Sequence, residues 1–109
     1  MNNLRNSIQL IGNLGKDVEV KTLDSGKQFA KVTMATKEVY KSADGEKVID
    51  TQWHNLVAWG KTAENMNVFL KKGREVCVVG KLRHRNYEDK NGIKRNVSEI
   101  HVNEFLVIN

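Results

Sequence analysis

Hydrophobic and polar residues alternate along most of this 109-residue chain. A period of two is typical of strands that turn one face toward a core. In the clearest stretch, 51–61, the odd-numbered positions form one face and the even-numbered positions form the other. Both tryptophans of the chain, Trp53 and Trp59, are odd-numbered, so they are predicted to point the same way.

The same alternation predicts four further strands, separated by turn residues. The first runs over 4–20, and Gly12 and Gly15 predict a bulge or sharp bend within it. The others run over 29–40, 74–85 and 97–107, and the stretch with the tryptophans begins at Val48. Turns are predicted at 24–27, 42–46 and 89–92, the last two with hairpin signals.

The period changes between residues 61 and 72. Ala63, Met66, Phe69 and Leu70 recur at helical spacing and predict a short amphipathic helix, with Thr62 as its N-cap. The element order is therefore β-β-β-α-β-β in one domain, 1–109. This is the order of the OB-fold, an all-β, five-stranded Greek-key barrel with one short helix.

Composition places the chain among globular proteins, with 39% hydrophobic and 28% charged residues. No apolar run is long enough to span a membrane, and the first residues lack the apolar core of a secretion signal. Cys77 is the only cysteine, so no intrachain disulfide is possible and a reducing compartment fits best. We expect a cytoplasmic protein without membrane contact.

Charge favours a polyanionic partner. The chain carries a net charge of +5, and residues 61–95 hold ten Lys and Arg against four acids. Lys81, Arg83, Arg85 and Tyr87 share one parity of one predicted strand. Cations that track phosphates beside aromatic rings that stack on bases are what single-stranded nucleic acid requires, and each stacked base contributes about 1–3 kcal/mol. The alternative is that the tryptophans lie in the core and the cations form an ordinary solvated face.

No catalytic or metal-binding arrangement competes with this hypothesis. Gly60-Lys61-Thr62 resembles the end of a phosphate-binding P-loop, but the glycine required five positions earlier is replaced by Asn55. His54, His84 and His101 lack metal-ligand spacing. We therefore expect no enzyme, no cofactor and no metal.

Several motifs together resemble the bacterial single-stranded DNA-binding protein family, from about residue 6 to residue 107. They are Gly12-Asn13-Leu14-Gly15, 51–61, Phe69-Leu70-Lys71-Lys72-Gly73, Gly80-Lys81-Leu82-Arg83 and the hairpin with Tyr87. The resemblance implies an OB-fold, a homotetramer, and single-stranded DNA wrapped over aromatic and basic residues. It implies functions in DNA replication, recombination and repair, with a nucleoid-associated location.

The resemblance also assigns roles to individual residues. By position, the stacking residues are expected to be Tyr40, Trp53, Trp59 and Tyr87. Tyr40 and Tyr87 stand where the family commonly has tryptophan, and Trp59 stands where phenylalanine is common. His54 resembles a family residue at the subunit interface. The residues expected to contact DNA phosphates are Lys61, Lys72, Arg74, Lys81, Arg83 and Arg85.

The family usually continues into a disordered tail with an acidic tip that recruits replication and repair proteins. The sequence ends at Asn109, directly after the last predicted strand, so we expect this tail and its partners to be missing, through truncation or in a short paralogue. Two alternative functions stay open at this point. One is a primosome-accessory or mobile-element paralogue, and the other is an OB-fold scaffold for protein contacts alone.

Overall fold

A computed structural model of the chain describes residues 4–109, which form six strands and one helix. The predicted first strand is interrupted by a bend at Gly15 and Lys16, and its halves are two separate strands. Counted as one bent strand, they confirm the predicted order. The elements are β1 Ile8–Leu14, β2 Glu19–Thr22, β3 Gln28–Lys41, β4 Lys47–Trp59, α1 Gly60–Phe69, β5 Glu75–Glu88 and β6 Lys94–Val107.

The strands close into a barrel in the order β1-β5-β6-β4-β3. Closure occurs at the end of β1, where Asn13 pairs with both β5 and β3 and Leu14 pairs with β3. The pairing of β4 with β6 is parallel, and the other pairings are antiparallel. A closed five-stranded barrel with a helix between β4 and β5 is an OB-fold, as predicted.

Small and medium aliphatic side chains fill the barrel. On β3, the even-numbered Ala30, Val32 and Met34 are fully buried, as their alternation predicted. Ala63 and Met66 of α1 pack on this core, and the helix contacts β2, β3, β4 and β6. Each fully buried Val, Leu, Ile or Met side chain contributes about 1.5–3 kcal/mol through its removal from water.

The helix lies where the sequence predicted it, but its ends differ. Strand β4 runs directly into it, so the N-cap residue is Trp59, and the predicted N-cap, Thr62, is within the first turn. Gly60, at φ 61°, makes the turn from strand to helix. The helix ends at Phe69, so Lys72 falls beyond it. Within residues 4–109, no helix is long and apolar enough to cross a membrane.

A β-bulge that the sequence did not reveal bends β6. At Gly80 of β5 the register shifts, because β6 contains one extra residue, Asn103. The backbone of Gly80 approaches the carbonyl of His101 so closely that a Cβ atom has no room there. The shift lets the odd-numbered Phe105 and the even-numbered Val102 both face the core.

Two long hairpins extend beyond the barrel. The β3–β4 ladder continues without interruption to Lys41 and Lys47, and the β5–β6 ladder continues to Glu88 and Lys94. Most side chains in these outer halves are exposed. The molecule consequently measures 55 × 38 × 31 Å, and its hairpins present polar and aromatic side chains away from the core.

Candidate nucleic-acid interface

Both tryptophans lie outside the barrel, on one face of β4. Leu56 and Ala58, on the opposite face, are buried, whereas Trp53 is 62% exposed and Trp59 is 43% exposed. The predicted shared face is therefore observed, and neither tryptophan is a core residue. An exposed ring of this size offers a large apolar surface to a partner.

Trp59 is supported by a second aromatic residue that the sequence analysis missed. Phe29 of β3 pairs directly with Trp59 in the ladder, and the two ring centroids are 4.6 Å apart at an interplanar angle of 46°. Aromatic pairs in such tilted contact contribute about 0.5–1.5 kcal/mol beyond their buried area. Phe29 thus holds Trp59 in place while leaving part of its ring open.

Trp53 rests against the bend between β1 and β2. A Cβ atom at Gly15 would collide with the outer edge of the Trp53 ring, so the glycine allows the ring edge to approach the backbone closely. On β3, the position paired with Trp53 is the small Ala35. The local sequence therefore leaves space for the ring outside the barrel.

A solvent-open cleft of about 280 Å³ separates Trp59 from the arginines of β5. One wall is the aromatic pair of Trp59 and Phe29, and the other carries Arg83 and Arg85. Flat rings on one side and guanidinium groups on the other match a base and its phosphate. The lining residues are Phe29, Val57, Trp59, Arg83, His84, Arg85, Glu99 and His101.

Arg85 is held between two neighbours. Its Nε donates to Oε1 of Glu99 at 3.0 Å and its Nη2 donates to Oε2 at 3.3 Å, while its guanidinium carbon lies 5.6 Å from the centroid of the Tyr87 ring. The hydrogen bond and the charge of Glu99 raise the pKa of Arg85. Tyr87 is exposed and lies on the predicted face of β5.

Glu99, like Phe29, is a residue of this surface that sequence reasoning missed. Its carboxylate is buried beneath the cationic face, with the whole residue only 6% exposed. Glu99 pairs with Arg83 on one side and, through the parallel ladder, with Asn55 on the other. The contact with Asn55 was not predictable because β4 and β6 are distant along the chain, and the contact with Arg85 depends on the register of the β5–β6 hairpin.

The six predicted phosphate-contacting residues do not form one cluster. Arg83 and Arg85 line the cleft, and Lys81 lies on the same strand face. Arg74 precedes Arg83 by nine residues, a separation of roughly 30 Å at about 3.3 Å per strand residue. Lys61 is exposed at the start of α1 and forms an ion pair with Glu64, with its Nζ 3.7 Å from Oε2.

Lys72 and Arg74 form a second group, on the loop that follows α1. The amide of Lys72 donates to Oδ1 of Asp17 at 2.8 Å, and the carbonyl of Arg74 accepts from the amide of Leu14 at 3.0 Å. These contacts place the loop beside the bend at Gly15, which supports Trp53.

His101 lies partly buried at the base of the cleft. Burial lowers the pKa of its imidazole, Glu99 opposes this effect, and the positive charges of Arg83 and Lys81 lower the pKa further. The lowered pKa makes His101 less readily charged than an ordinary histidine, so it adds less positive charge to the face than its neighbours do.

Comparison with known proteins settles the family. Residues 5–108 match the Single-strand binding protein family. The chain belongs to this family. Among curated proteins, it is 41% identical over 104 residues to Single-stranded DNA-binding protein 1 of Xylella fastidiosa, an alignment that covers 94% of this chain and 76% of the relative. It is 36% identical over 103 residues to the Single-stranded DNA-binding protein of Neisseria meningitidis, covering 94% and 59%.

A solved structure supports the same assignment. The Plasmodium falciparum SSB complex with ssDNA superimposes with a TM-score of 0.89 at 28% identity, over 100% of both chains. The Single-stranded DNA-binding protein 1 of Chlorobaculum tepidum is 42% identical over 96 residues, which are 87% of this chain and 59% of that protein. The chain thus spans between about three fifths and three quarters of the length of these curated relatives.

Two residues given roles by the family resemblance lie away from the tryptophan face. Tyr40 is exposed but stands on the opposite face of the β3–β4 ladder, paired with Val48. His54 shares that opposite face, half-buried, with its Nε2 2.8 Å from the hydroxyl oxygen of Thr36. Stacking by Tyr40 and an interface role for His54 stay predictions. Across residues 4–109, no group of three or more His, Cys, Asp or Glu residues is placed to hold a metal ion.

Proposed function

We propose that this chain binds single-stranded DNA without sequence preference and protects it during replication, recombination and repair. One observation carries the proposal: two exposed tryptophans on one outer strand face, with arginines across a cleft from one of them. The family membership supports it, and a structural neighbour is a complex with ssDNA. A cytoplasmic, nucleoid-associated location belongs to the same proposal, since DNA is the partner and one cysteine suits a reducing compartment.

Binding on this surface combines two contributions. Bases stack on Trp53 and Trp59, and every base offers a π-face, so stacking does not discriminate strongly among sequences. Arg83, Arg85 and Lys81 neutralise phosphates and release their counterions. Lys72 and Arg74 extend the cationic surface beside Trp53, which gives a strand a path past both rings. Neither contribution requires a chemical step, so we propose a binding protein and not an enzyme.

Alanine substitution of the tryptophans tests this proposal. Trp53→Ala and Trp59→Ala should each weaken binding of a dye-labelled thymine oligonucleotide by about 1–3 kcal/mol, measured by fluorescence anisotropy. Phe69→Ala is the matched control, because Phe69 is 55% exposed but lies on α1, outside the cleft. Its affinity should equal that of the wild type.

Repeating these titrations at several salt concentrations gives the number of phosphates that the protein neutralises. For single strands the log-log slope of affinity against salt changes by about −0.7 per neutralised phosphate. Arg83→Gln should therefore lower affinity and reduce the magnitude of the slope by about 0.7. Equal affinities of the two tryptophan variants and the wild type would contradict the proposed function and leave a protein-interaction scaffold as the better account.

We also propose a homotetramer, which an exposed apolar patch supports. Ile11, Cys77 and Leu106 are directly paired across β1, β5 and β6 and share the outer face of this sheet. Ile11 and Leu106 are at least half exposed, which is unusual for aliphatic residues side by side on a monomer. The patch lies on β1, β5 and β6, whereas the tryptophans lie on β4.

Light scattering on a sizing column tests the assembly. The wild type should have four times the chain mass of 12.4 kDa, and Leu106→Glu should lower that mass, because a buried unpaired carboxylate is costly. His54→Gln tests the predicted interface role of His54 separately. A wild-type monomer at micromolar concentration would contradict the proposal.

A further inference from the structure

The buried carboxylate of Glu99 lies beneath a surface that should attract phosphates. Among the charged residues within 4–109, only Glu99 is buried. Its negative charge opposes phosphate binding at the cleft, so simple electrostatics makes it unfavourable there. A buried carboxylate is retained at little cost only when it is paired and hydrogen-bonded. Its partner is Arg85.

The geometry of the pair leaves one edge of the guanidinium available. Arginine carries five N–H groups in a fixed plane, and Glu99 accepts one from Nε and one from Nη2. Three N–H groups are left, and two of them, on Nη1 and Nη2, are parallel along the outer edge. None of the three has an acceptor among residues 4–109. Arg85 itself is exposed and lines the cleft.

We propose that Glu99 is a positioning residue: by holding the Nε–Nη2 edge of Arg85, it presents the parallel Nη1–Nη2 edge to a phosphate of single-stranded DNA at the cleft. The inference rests on the proposed function. Parallel donors match two oxygens of one phosphate, a bidentate contact that a point charge does not reproduce. Tyr87 lies under the guanidinium and restricts it further.

Preorganisation explains why the carboxylate is useful despite its charge. A free arginine side chain loses rotational freedom when it binds, and that loss weakens binding. With Glu99 in place, Arg85 is already ordered before DNA arrives. The two effects of Glu99 have opposite signs, because its charge repels DNA while its hydrogen bonds fix the arginine. Replacing the carboxylate with a neutral amide removes both effects, so the sign of the change in affinity shows which effect is larger.

Glu99→Gln is the decisive variant. Glutamine retains the size of the side chain but accepts at a single oxygen and carries no charge, so it does not hold both donors of Arg85. We expect about 3- to 10-fold weaker binding of a thymine oligonucleotide, because the loss of one charge-assisted contact is partly offset by the removal of the repulsive charge. The magnitude of the log-log salt slope should fall by about 0.7, one phosphate contact.

Glu46→Gln is the matched control for net charge. Glu46 is exposed in the turn between β3 and β4 and has no ion pair with any other residue in 4–109. Like Glu99→Gln, this substitution removes one negative charge from the chain. The affinity of the Glu46→Gln variant should therefore equal or slightly exceed that of the wild type. Thermal unfolding of each variant checks that it is folded at the titration temperature.

Arg85→Lys provides a second test that does not alter Glu99. Lysine retains the positive charge, but one ammonium group does not serve the carboxylate and both phosphate oxygens together. We expect a loss equal to that of Glu99→Gln, and no further loss in the double variant. A structural role of Glu99 alone would lower unfolding temperature in Glu99→Gln but leave the salt slope unchanged.

The outcomes separate this inference from the proposed function. Tighter binding by Glu99→Gln than by Glu46→Gln would overturn the inference, because the charge of Glu99 would then dominate. Wild-type affinity in Arg85→Lys would overturn it too, and neither result would affect ssDNA binding by the wild type. If the wild type does not bind the oligonucleotide at low salt, the proposed function fails and the inference fails with it.

Discussion

The inside and the outside of the barrel use different kinds of apolar residue. The core contains Ala, Val, Leu, Ile and Met, and three alanines, Ala30, Ala58 and Ala63, are almost completely buried within it. The chain has seven aromatic residues, and none of them is classed as buried. Aromatic side chains usually contribute strongly to cores because each buries 150–250 Å². Here most of them lie on the surface, and Phe105 packs only partly buried against the core.

This contrast separates stability from recognition. Because the core closes around small aliphatic residues, the fold does not depend on burying Trp53, Trp59 or Tyr87. These rings are therefore available to a partner, supported at their edges by Phe29, by Gly15 and by Arg85. The comparison predicts that substitutions on the two faces of one strand have different consequences.

The largest expected effect comes from the inner face of β4. Leu56→Ala should lower the free energy of unfolding by about 2–5 kcal/mol, because Leu56 is fully buried and its loss leaves a cavity. Trp53→Ala, three residues earlier, should lower it by only about 0.5 kcal/mol. Urea unfolding at one protein concentration measures both. Comparable losses would mean that Trp53 is a structural residue, and the contrast would fail.

A pair of glycines sharpens the comparison at a smaller magnitude. At Gly12 a Cβ atom would collide with the backbone carbonyl of Ala35, which has no freedom to move, so Gly12→Ala should cost about 1–3 kcal/mol of unfolding free energy. At Gly15 the collision is with the exposed ring of Trp53, which is free to rotate away. Gly15→Ala should leave stability nearly unchanged.

The Gly15 variant should instead disturb recognition. Displacing the Trp53 ring from the bend should weaken binding of a thymine oligonucleotide, so anisotropy titration of Gly15→Ala should give a lower affinity than the wild type. If Gly15→Ala destabilises the fold as much as Gly12→Ala, the ring of Trp53 is rigidly packed and contributes to stability as well as to recognition.

The smallest expected effect is a pH dependence at the base of the cleft. Burial lowers the pKa of His101 in the folded protein, so the unfolded chain binds a proton more readily. Stability should therefore fall as pH falls below about 6.5, the ordinary value for histidine, toward the lower folded value. Thermal unfolding between pH 7.5 and 5 measures this. His101→Gln should reduce the slope, and an unchanged slope would contradict the assignment.

The strands, their order and their inward faces followed from the sequence because these features are local. Alternation placed Val32 and Met34 inside, Asp-Gly and Asn-Gly marked the hairpins, and the change to helical spacing located α1. The helix N-cap was wrong because continuous extended backbone through Trp59, and not a side-chain acceptor at Thr62, decides where the helix begins.

The finer features of the site depend on register, which the sequence does not determine. Phe29 meets Trp59 only because of the pairing between β3 and β4, and Glu99 reaches Arg85 only because of the register of the β5–β6 hairpin. The same limit applies to the phosphate-contacting residues. Composition grouped residues 61–95 as one basic segment, whereas the fold divides its cations between the cleft and the loop after α1.

Intrinsic tryptophan fluorescence is the most direct test of the claim that the outer aromatic face binds ssDNA. Trp53 and Trp59 are the only tryptophans, so every change in the signal comes from this face. Titration with an unstructured thymine oligonucleotide should quench the emission strongly, and rising salt should reverse the quenching as affinity falls. The contradicting result is unchanged emission at low salt, with enough oligonucleotide to saturate the protein as judged by anisotropy. It would show that DNA does not stack on these rings.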